Sequence, residues 1–307
     1  MLRPFPNDMK SLLKFLKNWS LPLAMLTGIV FYRFFDHLAV IIPYLIFAML
    51  LLTFAKLTPR KVRFSPLHIW LVIIQLVGCL LVYFLLYRYD NVWAESALIC
   101  VLAPTATSAA VVTGMLGGSV ACLTTYTLIG NLMIAIAAPI IFSLVGPQSN
   151  LLFLDSFLKI LSKVAPLLIT PLLLAWFMQR FTPKAHKTLL KFNYMAFYIW
   201  TVALAIVTGK TVRFLVDQQN PNVGMELLIA GTSLVICLLQ FFGGKKIGSI
   251  YNKRISGGQA LGQKNTVLAI WMAQTFLSPV ASLGPAAYVL WQNVFNSWQL
   301  YQRRKKI

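Results

Sequence analysis

Carboxylates are scarce in this chain. Seven Asp and Glu stand against 27 Lys and Arg in 307 residues, and charged residues of either sign make up only 11%. A soluble domain carries about 25% charged residues, so the polar surface is too small to cover a water-soluble particle. Histidine is equally rare. His37, His68 and His186 have no metal-ligand spacing. The four cysteines, Cys79, Cys100, Cys122 and Cys237, all fall inside apolar runs, which argues against a disulfide framework and leaves them as small core residues. No acids pair within an apolar run, and no phosphate-binding glycine loop or Gly-x-Ser-x-Gly elbow occurs. An enzyme is not expected, nor a metal or other cofactor.

What is abundant is apolar sequence. Hydrophobic residues make up 59% of the chain, with a mean hydropathy of +0.75. Runs long enough to cross ~30 Å of hydrocarbon, about 20 residues each, recur throughout. Ten spans are expected: Trp19–Phe35, Leu38–Leu57, Leu67–Tyr87, Trp93–Leu116, Ser119–Val145, Phe157–Phe181, Tyr194–Phe214, Met225–Phe242, Ala260–Phe276 and Ala281–Leu300. The expected fold is therefore all-α and polytopic, with no soluble domain between spans.

The net charge of +20 is distributed as a topology signal, not as a nucleic-acid surface. Basic clusters precede the first span (Arg3, Lys10, Lys14, Lys17) and follow the second (Lys56, Arg60, Lys61, Arg63). Others follow the sixth (Arg180, Lys184, Lys187, Lys191), the eighth (Lys245, Lys246, Lys253, Arg254) and the tenth (Arg303, Arg304, Lys305, Lys306). With ten spans all five lie on one side, cytoplasmic by the positive-inside rule, where they also meet anionic lipid. Asp36, Asp90, Glu95, Asp155, Asp217 and Glu226 fall opposite, at or beyond span ends. Residues Pro6–Asn18 suit either an interfacial helix or a simple basic flank. No small-residue cleavage site follows the first apolar stretch, so a removed signal peptide is not expected.

The seam at Gly146–Ser156 divides the chain into five spans and five, roughly 1–148 and 149–307. An odd number per half makes the halves opposite in orientation, as in inverted-repeat transporters. The fourth span of each half is unusual. One holds Pro104-Thr105-Ala106-Thr107-Ser108 and then Gly114, Gly117 and Gly118. The other holds Ser256-Gly257-Gly258-Gln259 and Gly262-Gln263-Lys264-Asn265-Thr266, followed by Ser278-Pro279. Polar, Gly- and Pro-bearing segments at matching places point to discontinuous helices over Pro104–Ala110 and Gly258–Thr266. Their free backbone groups would lie at mid-membrane.

Lys264 carries the most information. A lysine inside a span costs about 2.5–3.5 kcal/mol on insertion scales and is usually functional. With no carboxylate expected in the core, it must be neutral, bonded to carbonyls, wet, paired with an anionic substrate, or displaced to the surface by a later span start. Other polar groups in spans include Asn265, Thr266, Gln75, Thr124, Thr125, Thr127, Asn131, Gln240, Gln292, Asn293 and Asn296. Asn293 and Asn296 share a helix face.

Spans four and nine resemble the bile acid:sodium symporter family, and the layout covers most of the chain. The family's Pro-Gly-Gly-Thr-Ala-Ser-Asn-Val corresponds to Pro104-Thr105-Ala106-Thr107-Ser108-Ala109-Ala110-Val111. Its Glu-Val-Gly-Met-Gln-Asn-Ser-Gly-Leu corresponds to Ala260 through Leu268. Phe276-Leu277-Ser278-Pro279, Gly284-Pro285-Ala286, Trp291-Gln292-Asn293 and Gln75 also fit the family pattern. The resemblance implies a core of spans three to five and eight to ten, a panel of spans one, two, six and seven, and a substrate between them. It also marks where sodium ligands would stand. Those positions here are Gln75, Ala109, Ala110, Thr127, Ala260, Gln263 and Lys264, with Leu123 replacing a serine. A hard cation needs several oxygen ligands, and losing a carboxylate while gaining an ammonium removes them. Sodium binding is therefore not carried over, and Lys264 stands where a sodium ion stands in relatives.

The function expected is alternating-access transport of a small organic anion, bile-acid-like or a carboxylate, across a bacterial cytoplasmic membrane. Lys264, Asn265, Thr266, Thr107, Ser108 and Asn293 would line the site. Lys264 leaves open a proton-coupled version. The alternatives are a sodium symporter with rearranged ligands and a non-transporting receptor on the same scaffold. Fusions at both ends to reporters active only in the cytoplasm or only in the periplasm check the topology. Both ends should report cytoplasmic, and a periplasmic C-terminus would rule out ten spans.

Overall fold

The computed structural model describes residues 20–57, 62–106, 108–146, 152–218 and 221–305. The fold is all-helical. Apolar side chains offer the backbone no competing partners, and in hydrocarbon each segment must satisfy its own N–H and C=O groups. Among the described residues the one extended pairing is an isolated antiparallel bridge between Thr105 and Lys264.

In chain order the helices are α1 Ser20–Val30, α2 Tyr32–His37, α3 Ile42–Phe54, α4 Pro66–Tyr87, α5 Asn91–Leu102, α6 Ala109–Met115 and α7 Val120–Val145. They continue with α8 Phe153–Phe181, α9 Pro183–Lys191, α10 Met195–Val216, α11 Val223–Ile250, α12 Arg254–Gly262, α13 Thr266–Phe276 and α14 Leu283–Arg304. Among the described residues, six stretches are long and apolar enough to cross a membrane: 32–54, α4, α7, α8, α10 and α11.

The 32–54 stretch is not one rod. Phe35 packs on Gly209, towards the C-terminal end of α10, whereas the Leu52 carbonyl accepts from Asn193 Nδ2 just ahead of α10. The 3₁₀ segment Leu38–Ile41 interrupts it between α2 and α3. Gly28 sits against the Ala205 carbonyl, where any side chain would push α1 off α10.

Helix α4 shows how burial is divided. Leu67, Leu71, Gln75, Cys79 and Tyr83, each four residues apart, form its buried stripe. Ile69, Trp70, Ile73, Val77, Leu81, Phe84 and Leu85 are exposed on the rest of it. So wide an apolar exterior exceeds what a soluble protein presents and suits lipid contact.

The expected span boundaries shift in several places. The eighth span extends well past Phe242, to Ile250. The turn after it places Asn252 at φ 55°, and α12 then returns along α11. The expected fourth span is cut into α5 and α6, and the expected ninth into α12 and α13. The breaks are shorter than the sequence suggests. Gly258–Gly262 and Ala109–Ala110 are helical. Glycine at 258 and 262 does not break α12, because each lets a neighbour approach: Lys245 and Phe241 pack where Cβ atoms would stand. The N-terminal segment 6–18 and Thr107 lie outside the described residues.

Helices α11 and α12 meet backbone to backbone, because Gly244 and Gly248 face Gly257. Small residues at such contacts are what allow close packing between membrane helices. A Cβ at Gly257 would collide with the Gly244 carbonyl, whereas one at Gly243 meets nothing within 4 Å. Gly257→Ala should therefore destabilise by roughly 1–3 kcal/mol through overpacking. Gly243→Ala should be neutral or stabilising by up to about 1 kcal/mol through helix propensity. Thermal melts of the detergent-purified variants distinguish the two, and equal melting temperatures would contradict the packing.

Candidate functional site

The two interrupted helix pairs cross where they break. Pro104 has no N–H and holds the residue before it out of the helical region. Ala103 is accordingly at φ −47°, ψ 138°. The second break contains no proline. Gln263 turns to φ −98°, ψ 100°, and Gln292 Oε1 accepts from Lys264 N at 2.8 Å while its Nε2 donates to Lys264 O at 3.3 Å. A side-chain amide thus replaces the helical partners that Lys264 has lost.

The two breaks also pair with each other. Ala106 N donates to Gln263 O and Asn265 N to Pro104 O, both at 2.8 Å. Thr105 Oγ1 donates to Ala260 O at 2.8 Å. Asn265 then caps α13, its Oδ1 accepting from Leu268 N at 3.3 Å.

The C-terminal carbonyls of α5 point into this crossing, and a helix end leaves its last four without partners. All of them find donors here. Ile99 O takes Ala103 N at 3.0 Å. Cys100 O takes Gln240 Nε2 at 3.1 Å, and Val101 O takes Lys264 Nζ at 2.8 Å. Gln75 Nε2 donates to both Leu102 O and Ala103 O, at 2.7 and 2.8 Å, and Tyr126 OH fixes Gln75 by donating to its Oε1 at 2.6 Å. At the end of α12, Tyr288 OH donates to Gly262 O at 2.9 Å, and Gln240 Nε2 lies 3.3 Å from that hydroxyl. Gln75 with Tyr126 and Gln240 with Tyr288 are two glutamine–tyrosine pairs that bond differently: both glutamines donate to carbonyls at the end of α5, and Tyr288 alone donates to the end of α12.

Lys264 is 1% exposed, so it does not reach the surface. Of the alternatives open for it, the geometry selects bonding to a carbonyl at the negative end of a helix dipole. Cys79, Cys100 and Cys237 surround the ammonium.

A cavity of about 530 Å³ lies against the crossing. Its walls come from α3 (Met49, Thr53) with Lys56 and Leu57 just after it, from 193–200 at the start of α10, from both breaks with α6 and α7, and from α14. Of the expected site residues, Lys264, Asn265, Ser108 and Asn293 line it, and so do Gln263, Ala110 and Thr127. Thr266 is buried beside it at the start of α13 without lining it. Neither Val101 nor the three cysteines line the cavity. The ammonium of Lys264 therefore lies behind the crossing, and the expectation that it projects at a bound anion is corrected.

The positions that correspond to sodium ligands do not form a polar cage. Ala109, Ala260 and Leu123 pack with Leu67, Leu71, Tyr126 and Leu261 in one apolar cluster, with Ala110 and Cys122 against it. Gln75 is occupied by the α5 carbonyls, and Gln263 Nε2 by Ser108 Oγ at 2.9 Å.

Sequence reading missed several contributors. Lys56 and Asn193 read as flanking residues, yet the fold brings both to the cavity mouth. Trp200 looked like ordinary apolar span. Gln292 carried a signal, four residues before Asn296 on one helix face. A second correction concerns the carboxylates. Glu95 stands near the start of α5, as expected, but is fully buried there.

No protein-family model matches the chain, and no curated protein matches it closely enough to count as a relative.

The Gln75 bonds set a stability test. Gln75→Leu strands two buried carbonyls and the Tyr126 hydroxyl, each costing on the order of 1–3 kcal/mol. Tyr126→Phe removes one hydroxyl and should cost about 1 kcal/mol. Denaturation midpoints should rank wild type above Tyr126→Phe and Tyr126→Phe well above Gln75→Leu. The reverse order would contradict the clamp.

Proposed function

We propose that this chain is an alternating-access transporter of a small organic anion that works without sodium. The single observation that carries this reading is the cavity. It lies between α3 and α10 on one side and the crossed helix breaks with α14 on the other; Lys56 supplies the charge on its lining, Lys264 turns its ammonium away to Val101 O, and no acid lines it. An anion is the charge such a lining favours.

On this reading there are ten spans in two inverted halves of five. Spans one, two, six and seven form a panel that moves against the core of spans three to five and eight to ten. The break in the fourth expected span of each half supports two related halves. We take the opening to be on the side of Lys56, an exposed lining residue in one of the basic clusters, which makes the conformation inward-facing on this reading. Lys56 attracts the anion at the mouth, and amides of Asn265, Gln292 and Asn293 offer donors deeper in. Lys264 acts as a built-in cation. It neutralises the end of α5 from behind, where an imported ion would otherwise be needed, and the apolar packing around Ala109 and Ala260 supports the absence of such an ion.

The test is a thermal-shift screen of the purified protein against organic anions, in sodium and in choline buffers. A ligand at 100 times its Kd stabilises by about 2.7 kcal/mol. At least one carboxylate should raise the melting temperature equally in both buffers, and Lys56→Ala should weaken that shift. Lys264→Gln should lose it or make it sodium-dependent. A shift that needs sodium in the wild type would overturn the sodium-independent reading, and no shift from any anion would overturn the anion assignment.

A further inference from the structure

Glu95 is a buried carboxylate with no cation beside it among the described residues. It is 0% exposed. Its Oε1 accepts from Asn91 Nδ2 at 3.0 Å, and Asn91 Oδ1 in turn accepts from Tyr83 OH at 3.1 Å. Its Oε2 accepts from the backbone N–H of Ser278 at 2.7 Å, and Ser278 Oγ also faces the carboxyl. Among the described residues, the titratable groups facing Glu95 are Asp90, just ahead of its own helix, and Tyr83 from α4. The elements packed against α5 from α7, α11, α13, α14 and the 277–282 linker bring none.

This contact ties α5 to the linker that joins α13 to α14. At the opposite end of the core a comparable tie joins α12 to the loop before α7, but there the group is neutral: Ser256 Oγ accepts from Ser119 N at 2.9 Å and donates to Ser119 O at 3.1 Å. One end of the core is thus held by a group that can take up a proton and the other by one that cannot. Burying a charge without a counter-charge is costly, and a proton removes that charge. Ionisable groups inside membrane proteins commonly serve as proton relays.

We propose that Glu95 is a proton-binding site whose occupancy releases the α13–α14 linker, making the proton the coupling ion of the transport reading above, on which this inference rests. A proton from water at the outer end adds to one carboxylate oxygen. The new O–H donates to Ser278 Oγ, which can serve as donor or acceptor. The hydrogen bond from Ser278 N then loses its charge assistance and weakens. The linker is held less tightly, and by linkage an opened linker favours the protonated form.

Two measurements on the full-length protein in detergent test this without any transported substrate. The first is the infrared carbonyl band of protonated carboxyl groups, followed from about pH 9 to pH 5, above the range in which ordinary carboxyls titrate. The wild type should gain a band that Glu95→Gln lacks. The second is the maleimide labelling rate of Pro279→Cys, an exposed linker position, corrected for the parent protein with its native cysteines. The rate should rise roughly fivefold or more on acidification and stay flat when Glu95→Gln is added. A rate unaffected by pH, or a rise that survives Glu95→Gln, overturns the proposal. If Glu95→Gln does not fold, Asn91→Ala, which removes one donor to the carboxylate, should shift the labelling profile along the pH axis, and an unshifted profile overturns it. A flat labelling profile beside a positive anion screen removes Glu95 alone, whereas a pH-dependent linker beside a negative screen removes the anion-transport reading alone.

Discussion

Backbone that leaves the helix inside an apolar environment must find partners for every N–H and C=O it frees, and the bridge between Thr105 and Lys264 is how this molecule meets that demand. Two hydrogen bonds join the breaks directly. Neither break could exist alone at this depth, since each supplies the other's missing partners. The cavity, the cap on α5 and the convergence of α14 on the crossing all follow from that reciprocal arrangement. It explains why Gln75, Gln240, Gln292, Tyr126 and Tyr288, from four different helices, are buried polar residues in a chain otherwise dominated by apolar side chains. Each one completes a carbonyl or amide that the crossing exposes.

Charge is placed with the same economy. The ammonium of Lys264 meets the negative end of α5, and the carboxylate of Glu95 lies nearer that helix's start. Each agrees in sign with the helix dipole at its position. Neither is matched by an opposite side-chain charge, and among the described residues the one ion pair is the surface contact between Arg213 and Asp217. Buried charges that answer to dipoles rather than to each other respond separately to their surroundings.

Glycine governs how closely the elements approach. Gly244, Gly248 and Gly257 let α11 and α12 touch at the backbone, and Gly28 and Gly209 do the same for α1, α2 and α10. Gly117, at φ 76°, leaves room for the Arg303 guanidinium over the turn between α6 and α7, linking the last turn of α14 to that loop. Close approach at these points stiffens each group of helices.

The helical, membrane-like character was legible from composition and hydropathy, because the need to satisfy the backbone in hydrocarbon leaves few other choices. The two breaks were legible as well, through Pro104 and through the polar run around Lys264, and so were four of the six expected site residues on the cavity wall. What stayed hidden has a common physical reason. Hydropathy reports how apolar a stretch is, not what each polar atom in it touches. The length of the second break depended on Gln292, 28 residues downstream, taking over both backbone groups of Lys264. The direction of the Lys264 ammonium depended on the unpaired carbonyl of Val101. Glu95 read as a flanking acid because Ser278, its principal donor, is 183 residues away in sequence. The sequence by itself determined which segments are apolar and where helices must stop. Only the tertiary structure decided which buried polar groups answer one another, because those partners are brought together by packing and by nothing local in the chain.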